Sequence, residues 1–143
     1  MKVVNIYLMR HGSLEQKGLL AGHTDLVLYE LGWQQMAAST ESLNISKCYS
    51  SPLQRCRQFA EQFCKQQELS LNIEPDLKEM NFGDWDGKTY DHLWQLPEPN
   101  IGHFCQDPLL VTPPNGESFI AFNTRVHKWW KQLIDRPVSE NIL

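Results

Sequence analysis

Apolar residues along this chain fall either into short continuous runs or at helical spacing. Val3, Val4, Ile6, Tyr7 and Leu8 form a run of β-branched and bulky side chains, which predicts a buried strand over about residues 2–8. Ile45 to Tyr49 predicts a second strand, and Leu69 to Ile73 a third that Pro75 ends. Trp33, Met36, Ala37 and Ala38 lie in a segment that reads as a helix from about Leu31 to Leu43. Cys56, Phe59, Ala60 and Phe63 follow at i, i+3, i+4 and i+7, so one face of a second helix is apolar. Ser51 is a candidate N-cap for that helix and Pro52 its first residue. A last helix begins near Glu117, with Phe119, Phe122, Val126, Trp129, Trp130 and Leu133 on its apolar face.

Between these elements, residues 83–114 are rich in Gly, Pro, Asp and Trp. Pro97, Pro99, Pro108, Pro113 and Pro114 exclude a long helix there, leaving a short one around Tyr90 to Gln95. Excursions of this length often act as lids or binding loops. Strands alternating with helices imply an α/β fold: a three-layer sandwich with a mainly parallel sheet covered on both faces.

Composition narrows the function. The 143 residues suit one domain with a real core. The formal net charge of −4 offers no field to attract nucleic acid or an anionic membrane, so local arginines must hold any anionic substrate. No apolar stretch approaches the roughly 18 residues of a membrane helix. Cys48, Cys56, Cys64 and Cys105 lack C-x-x-C spacing, which suggests neither zinc nor redox chemistry and fits a reducing cytoplasm. Cys56 and Cys64 fall on the apolar side of the second helix, as small core residues.

Three stretches carry candidate chemistry. Arg10-His11-Gly12 follows the first strand, at the end where α/β sheets bind ligands. There His11 can be a nucleophile or base, Arg10 an anion donor, and Gly12 a point of close backbone approach. Arg55 lies in the first turn of the second helix, whose N-terminus favours an anion; otherwise it is a solvated surface arginine. Glu79 precedes the turn Phe82-Gly83-Asp84-Trp85-Asp86-Gly87. Beside bulky apolar groups it can be a proton donor with a raised pKa; alternatively it is an exposed loop carboxylate over Phe82 and Trp85. Asp84 and Asp86 read as turn residues.

Taken in order, these stretches resemble the histidine phosphatase superfamily, the phosphoglycerate mutase-like family. Arg10-His11-Gly12 is similar to its signature triplet. Asp25, Leu28, Gly32 and Gln35 are similar to the loop and helix that follow, and Ser51, Leu53 and Arg55 to the second phosphate-binding motif. Leu77, Glu79, Phe82, Gly83, Trp85 and Gly87 resemble the acid motif, with Asp86 where glutamate is usual. Pro114-Asn115-Gly116-Glu117-Ser118 resembles the stretch that opens the late helix. Within the superfamily, Ala21-Gly22-His23, Glu79-Met80-Asn81-Phe82-Gly83-Asp84-Trp85 and the residues from Asn115 to Phe122 are most similar to the alpha-ribazole phosphatases, which act in assembly of the cobalamin nucleotide loop.

The resemblance implies a phosphoglycerate mutase-like fold and hydrolysis of a small phosphate monoester through a phosphohistidine. His11 and Glu79 would be catalytic, as nucleophile and as proton donor then acceptor. Arg10 and Arg55 would bind the substrate phosphate. No cofactor and no metal is implied. A broader phosphatase, a phosphoglycerate mutase and a non-catalytic remnant are the alternatives. The family's second histidine follows a strand resembling Glu140-Asn141-Ile142-Leu143, and His23, His92, His103 and His127 do not occupy its place. The expectation is therefore a single domain over residues 1–143 with a sheet incomplete at its C-terminal side, as in a truncated product or a part of a longer protein; if the 143 residues are the whole protein, weak stability and activity reduced or lost are expected. Losing one preorganised donor costs about 10²–10³ in rate. Ser13-Leu14-Glu15-Gln16-Lys17 also departs from the family's usual residues after the triplet, so its asparagine phosphate contact is not carried over, with Ser13 and Gln16 the residues that could substitute. Trp85, Tyr90, His92, Trp94 and Phe104 either stack on a planar substrate or, more simply, pack the excursion onto the body.

Overall fold

The computed structural model describes residues 3–136 and 140–143. Its regular elements are α1 (Glu30–Thr40), β1 (Lys47–Ser50), α2 (Gln54–Gln67), β2 (Ser70–Ile73), α3 (Tyr90–Trp94), α4 (Ile101–Gln106) and α5 (Phe119–Ile134). Strands β1 and β2 pair in parallel, Cys48 facing Leu71 and Tyr49 facing Asn72. Residues 141–143 extend this sheet on the other side of β1. The Lys47 N–H donates to the Asn141 carbonyl at 3.2 Å, the Leu143 N–H to the Lys47 carbonyl at 3.0 Å, and the Tyr49 N–H to the Leu143 carbonyl at 2.8 Å. Beyond them, the Tyr7 N–H donates to the Ile142 carbonyl at 2.8 Å and the Ile142 N–H to the Asn5 carbonyl at 3.0 Å. The order across the sheet is thus the N-terminal segment, residues 141–143, β1 and β2, with parallel pairing throughout.

The first run therefore joins the sheet through one bridge at Ile6, not as the buried strand expected over residues 2–8. Its neighbour offers three residues, and Val3 and Leu8 remain 80% and 84% exposed. Lys2 lies outside the described residues.

Side-chain alternation along β1 sorts the helices into layers. Cys48 points into a core with Met36 of α1 and Phe59, Phe63 and Cys64 of α2. Tyr49, on the opposite face, meets Trp129 of α5 edge-on at 5.5 Å between ring centres. Helices α1 and α2 cover one face and α5 the other, which is the expected three-layer α/β architecture. Cys48 and Cys64 are buried, and burial pushes the Cys48 thiol up to about 12. Cys56 is only half-buried.

One helix start and one helix end differ from their sequence signals. α2 begins at Gln54, with Leu53 extended before it. Ser51 is not the N-cap: its hydroxyl accepts from the Leu53 N–H at 3.3 Å, which closes a turn one step too early. The Gln54 N–H is instead capped by the Asp25 carboxylate at 2.7 Å, from a distant loop. α1 stops at Thr40, whose hydroxyl turns back to the Met36 and Ala37 carbonyls, so Leu43 packs on the core from outside the helix.

Gly12 has a different use from the one its position suggests. A Cβ there would strike the Gly32 backbone, and a Cβ on Gly32 would strike the Ser13 carbonyl. The two glycines let the loop after His11 lie directly on the start of α1. Ser13 is held there as well, its N–H and hydroxyl both donating to the Gln35 side-chain oxygen at 2.9 and 3.1 Å.

The excursion over residues 83–114 builds a second small core from Leu20, Trp85, Leu93, Ile101 and Val111. Phe104 packs edge-on against both Phe82 and Trp85. Trp85 is 2% exposed, so it and Phe104 serve packing, as the simpler reading has it. Tyr90 and Trp94 stay on the exposed side of α3, with the Trp94 ring over Gly102. α4 was not legible in the sequence. Its signal is Asn100, whose side chain caps the Gly102 N–H at 2.9 Å just after the Pro97–Pro99 stretch. No described helix is long and apolar enough to cross a membrane.

Helix propensity alone would make Gly32→Ala favourable by up to about 1 kcal/mol. The clash with the Ser13 backbone wins, because overpacking costs about 1–3 kcal/mol. Urea unfolding of Gly32→Ala is expected to give a lower midpoint than the wild-type chain; a higher one would refute the close packing of α1 on residues 12–13.

Candidate active site

His11 is half-buried where the N-terminal segment leaves the sheet. Its Nδ1 lies 2.8 Å from the Gly12 carbonyl, which can only accept, so Nδ1 carries the proton. In the neutral ring Nε2 then holds the free lone pair. Burial chiefly favours that neutral form. The positive charges of Arg55 and Arg10 act the same way, against the Gly12 bond and Glu79, and the His11 pKa is held below the usual histidine value. These effects bring Arg10, Arg55 and Glu79 into the electrostatic surroundings of His11.

Arg55 is neither a solvated arginine nor a side chain reaching freely over a crevice. It is 1% exposed. Its Nη1 donates to the Thr24 carbonyl at 3.0 Å, and its Nη2 to the Ala21 and Gly22 carbonyls at 3.1 and 2.7 Å. Three of the five guanidinium N–H groups are committed in this way. Among the described residues no carboxylate forms an ion pair with it. A buried cation costs several kcal/mol unless it is compensated. Here carbonyl dipoles supply part of that compensation and no fixed anion supplies the rest. The α2 terminus itself is not free, because Asp25 occupies its first N–H.

Glu79 is exposed rather than enclosed by Phe82 and Trp85, because those rings turn to Phe104. Its Oε1 accepts from the Met80 N–H at 2.8 Å. Its carbonyl lies 3.0 Å from His23 Nε2. His23 thereby joins the site, although its sequence context gave only a resemblance. His92 lies on exposed α3, His103 pairs with Glu98 at 3.6 Å, and His127 is exposed on α5.

Asp86 does far more than make a turn. It accepts from the N–H groups of Gly22, His23 and Thr24 at 3.2, 2.6 and 2.8 Å, and from the Thr24 hydroxyl. Burial alone would raise its pKa, but the Thr24 hydroxyl and the three N–H groups outweigh burial and hold the carboxyl below the usual carboxylate range. Residues 21–24 are therefore gripped by their carbonyls from Arg55 and by their amides from Asp86. The sequence signal was Asp86 itself, a carboxylate inside a Gly-punctuated turn, but its partners lie more than 60 residues away.

A cavity of about 230 Å³ runs beneath His11, lined by Met36, Cys48, Tyr49, Cys56 and Trp129 among others. Its walls are mostly apolar and include none of Arg10, Arg55 and Glu79.

Residues 6–143 match the family model of the histidine phosphatase superfamily, branch 1. The adenosylcobalamin/alpha-ribazole phosphatase of Escherichia coli is 30% identical over 145 aligned residues, covering 98% of this chain and 71% of that protein. The solved alpha-ribazole phosphatase of Shigella flexneri is similar with a TM-score of 0.84 at 30% identity, covering 96% of this chain and 71% of that one. YhfR of Bacillus stearothermophilus gives a TM-score of 0.87 at 28% identity over 99% of this chain and 72% of its own.

Asp86 has a depressed folded-state pKa, so its stabilisation is fully present above the ordinary carboxylate pKa of about 4 and is lost as pH falls through the lower folded value. At pH 7 Asp86→Asn leaves amides without a good acceptor and is expected to cost about 1–3 kcal/mol. Unfolding across pH 3–7 should show the gap between variant and wild type narrowing as pH falls; a constant gap would exclude the charge as its source.

Proposed function

Because the chain belongs to branch 1 of the histidine phosphatase superfamily, we propose that it hydrolyses a phosphate monoester by transferring the phosphoryl group to His11. The observation that carries this reading is the buried Arg55 guanidinium, without a carboxylate partner among the described residues, whose charge acts on a neutral half-buried histidine. A phosphate monoester supplies the missing negative charge and the electrophile together.

In the first step the His11 Nε2 lone pair attacks phosphorus, a P–N bond forms and the P–O bond to the leaving group breaks. Arg55, with its two uncommitted N–H groups, and Arg10 hold the non-bridging oxygens as charge spreads over them. Glu79 gives its proton to the departing alkoxide. In the second step water attacks the phosphohistidine and yields a proton to Glu79, which restores His11 and releases inorganic phosphate. Splitting the displacement in two keeps each step within reach of side-chain chemistry.

The substrate we favour is alpha-ribazole 5'-phosphate, on the names of the Escherichia coli and Shigella flexneri relatives. We read the excursion over residues 83–114 as a lid over the organic half of the substrate. Its exposed Tyr90 and Trp94 are the aromatic groups left free to meet a ring. We place the protein in the cytoplasm, on its unpaired cysteine spacing.

Release of phosphate from alpha-ribazole 5'-phosphate, a phosphoglycerate and p-nitrophenyl phosphate tests the reading. Turnover should be highest on the first, and His11→Ala should abolish it. Acid-labile phosphate should be trapped on the wild-type chain only. Comparable turnover of all three would favour a broad phosphatase, and activity surviving in His11→Ala would refute the mechanism. The attacking ring is neutral and its pKa is lowered, so kcat/KM should hold as pH falls past the usual histidine value of about 6.5 and decline only below it. A decline beginning above that value would contradict the assigned environment of His11.

A further inference from the structure

Glu117 and Arg125 take no part in the chemistry above, yet they form the most completely bonded pair in the described structure. Arg125 Nε and Nη2 grip the Glu117 carboxylate in two parallel bonds of 2.7 and 2.9 Å. Its Nη1 donates to the carbonyls of Asp76 and Lys78 at 2.7 and 2.9 Å, and Nη2 donates to the carbonyl of Glu79 at 3.0 Å. All five guanidinium N–H groups are thus used. The Phe122 ring backs the guanidinium at 5.0 Å.

Glu117 holds the other side of the same turn. Its carboxylate accepts from the Asn81 N–H at 3.1 Å, while its own N–H donates to the Asn81 carbonyl at 2.8 Å. Burial alone would raise the Glu117 pKa, but Arg125 and the Asn81 amide outweigh it and keep the carboxylate ionised. A bond that served only to stabilise α5 would be satisfied by the pair itself, one helical span apart. Three of the five N–H groups instead reach out of the helix to the residues leading up to and including Glu79.

We propose that Arg125, backed by Glu117, is the positioning residue for Glu79. The inference rests on the reading of Glu79 as proton donor. Arg125 does not touch the Glu79 carboxylate. It fixes the backbone from which that side chain springs, with His23 on the same carbonyl. This matters because Glu79 is exposed and its carboxylate has, among the described residues, one hydrogen bond, to the next amide, so its aim comes from the backbone beneath it. Proton transfer tolerates little misplacement, and an error of about 1 Å costs on the order of 10² in rate.

The test compares kcat/KM on a simple alkyl phosphate with that on p-nitrophenyl phosphate. This parameter reports the transfer to His11, and only the alkyl leaving group needs a proton. General acid catalysis contributes about 10²–10⁴-fold, so Arg125→Lys should cost at least about tenfold on the alkyl ester and less than about threefold on the aryl one. Glu117→Gln, which keeps the arginine, should show the same split more weakly and carries the test if Arg125→Lys does not fold. In a Glu79→Gln background, Arg125→Lys should have no further effect on the alkyl ester. Equal losses on both esters, or a full additional loss in that background, overturn the positioning role while leaving the phosphatase reading intact. A wild-type chain that turns over neither ester overturns both.

Discussion

Residues 21–24 are held between two opposite charges, and much of the molecule hangs on that grip. Arg55 reaches from α2 to take three of their carbonyls, and Asp86 reaches from the excursion to take their amides. Backbone groups that a free loop would give to water are given to ions instead, through charge-assisted bonds about twice as strong as neutral ones. The next residue, Asp25, then caps α2, and His23 is brought onto the Glu79 carbonyl. A short loop thereby ties together the second helix, the excursion and the acid-bearing turn.

The chain carries a net charge of −4, yet the charges nearest in effect to His11 are mostly positive. Asp86 is held by three amides and the Thr24 hydroxyl, and Glu117 by Arg125. Among the described residues Arg55 has no carboxylate partner, and three carbonyl dipoles meet part of its charge. The positive charges of Arg55 and Arg10 each act on His11 more strongly than the negative charge of Glu79. Burial and these cations together keep His11 neutral, which is the form a nucleophile needs.

Legibility varied with the range of the interaction that decided each feature. Helices α2 and α5 were readable because a wide apolar stripe is a local signal, and α1 from Trp33, Met36, Ala37 and Ala38. His11, Arg10, Arg55 and Glu79 were readable by type and position, since each sits at the end of an element or beside a turn. Ser51 misled because a good local cap lost to Asp25, a partner 29 residues from Gln54. Gly12 misled because its close neighbour is another backbone, at Gly32, and not a ligand. Asp86 and Arg125 were passed over because a carboxylate in a turn and a cation on a helix are ordinary until their partners are known.

The sequence by itself determined helices α1, α2 and α5, the strands β1 and β2 and the parallel α/β class, and it named His11, Arg10, Arg55 and Glu79 as candidates. Those follow from periodicity, from residue chemistry and from motifs that need no third dimension. Only the tertiary structure decided which tautomer His11 holds, that Arg55 is buried with no carboxylate partner among the described residues, and that Glu79 stands exposed on a backbone clamped by Arg125 and His23. The reason is that burial and hydrogen-bond saturation belong to the packed chain. A side chain's charge is written in its residue type, but whether that charge is spent or left available depends on groups tens of residues away.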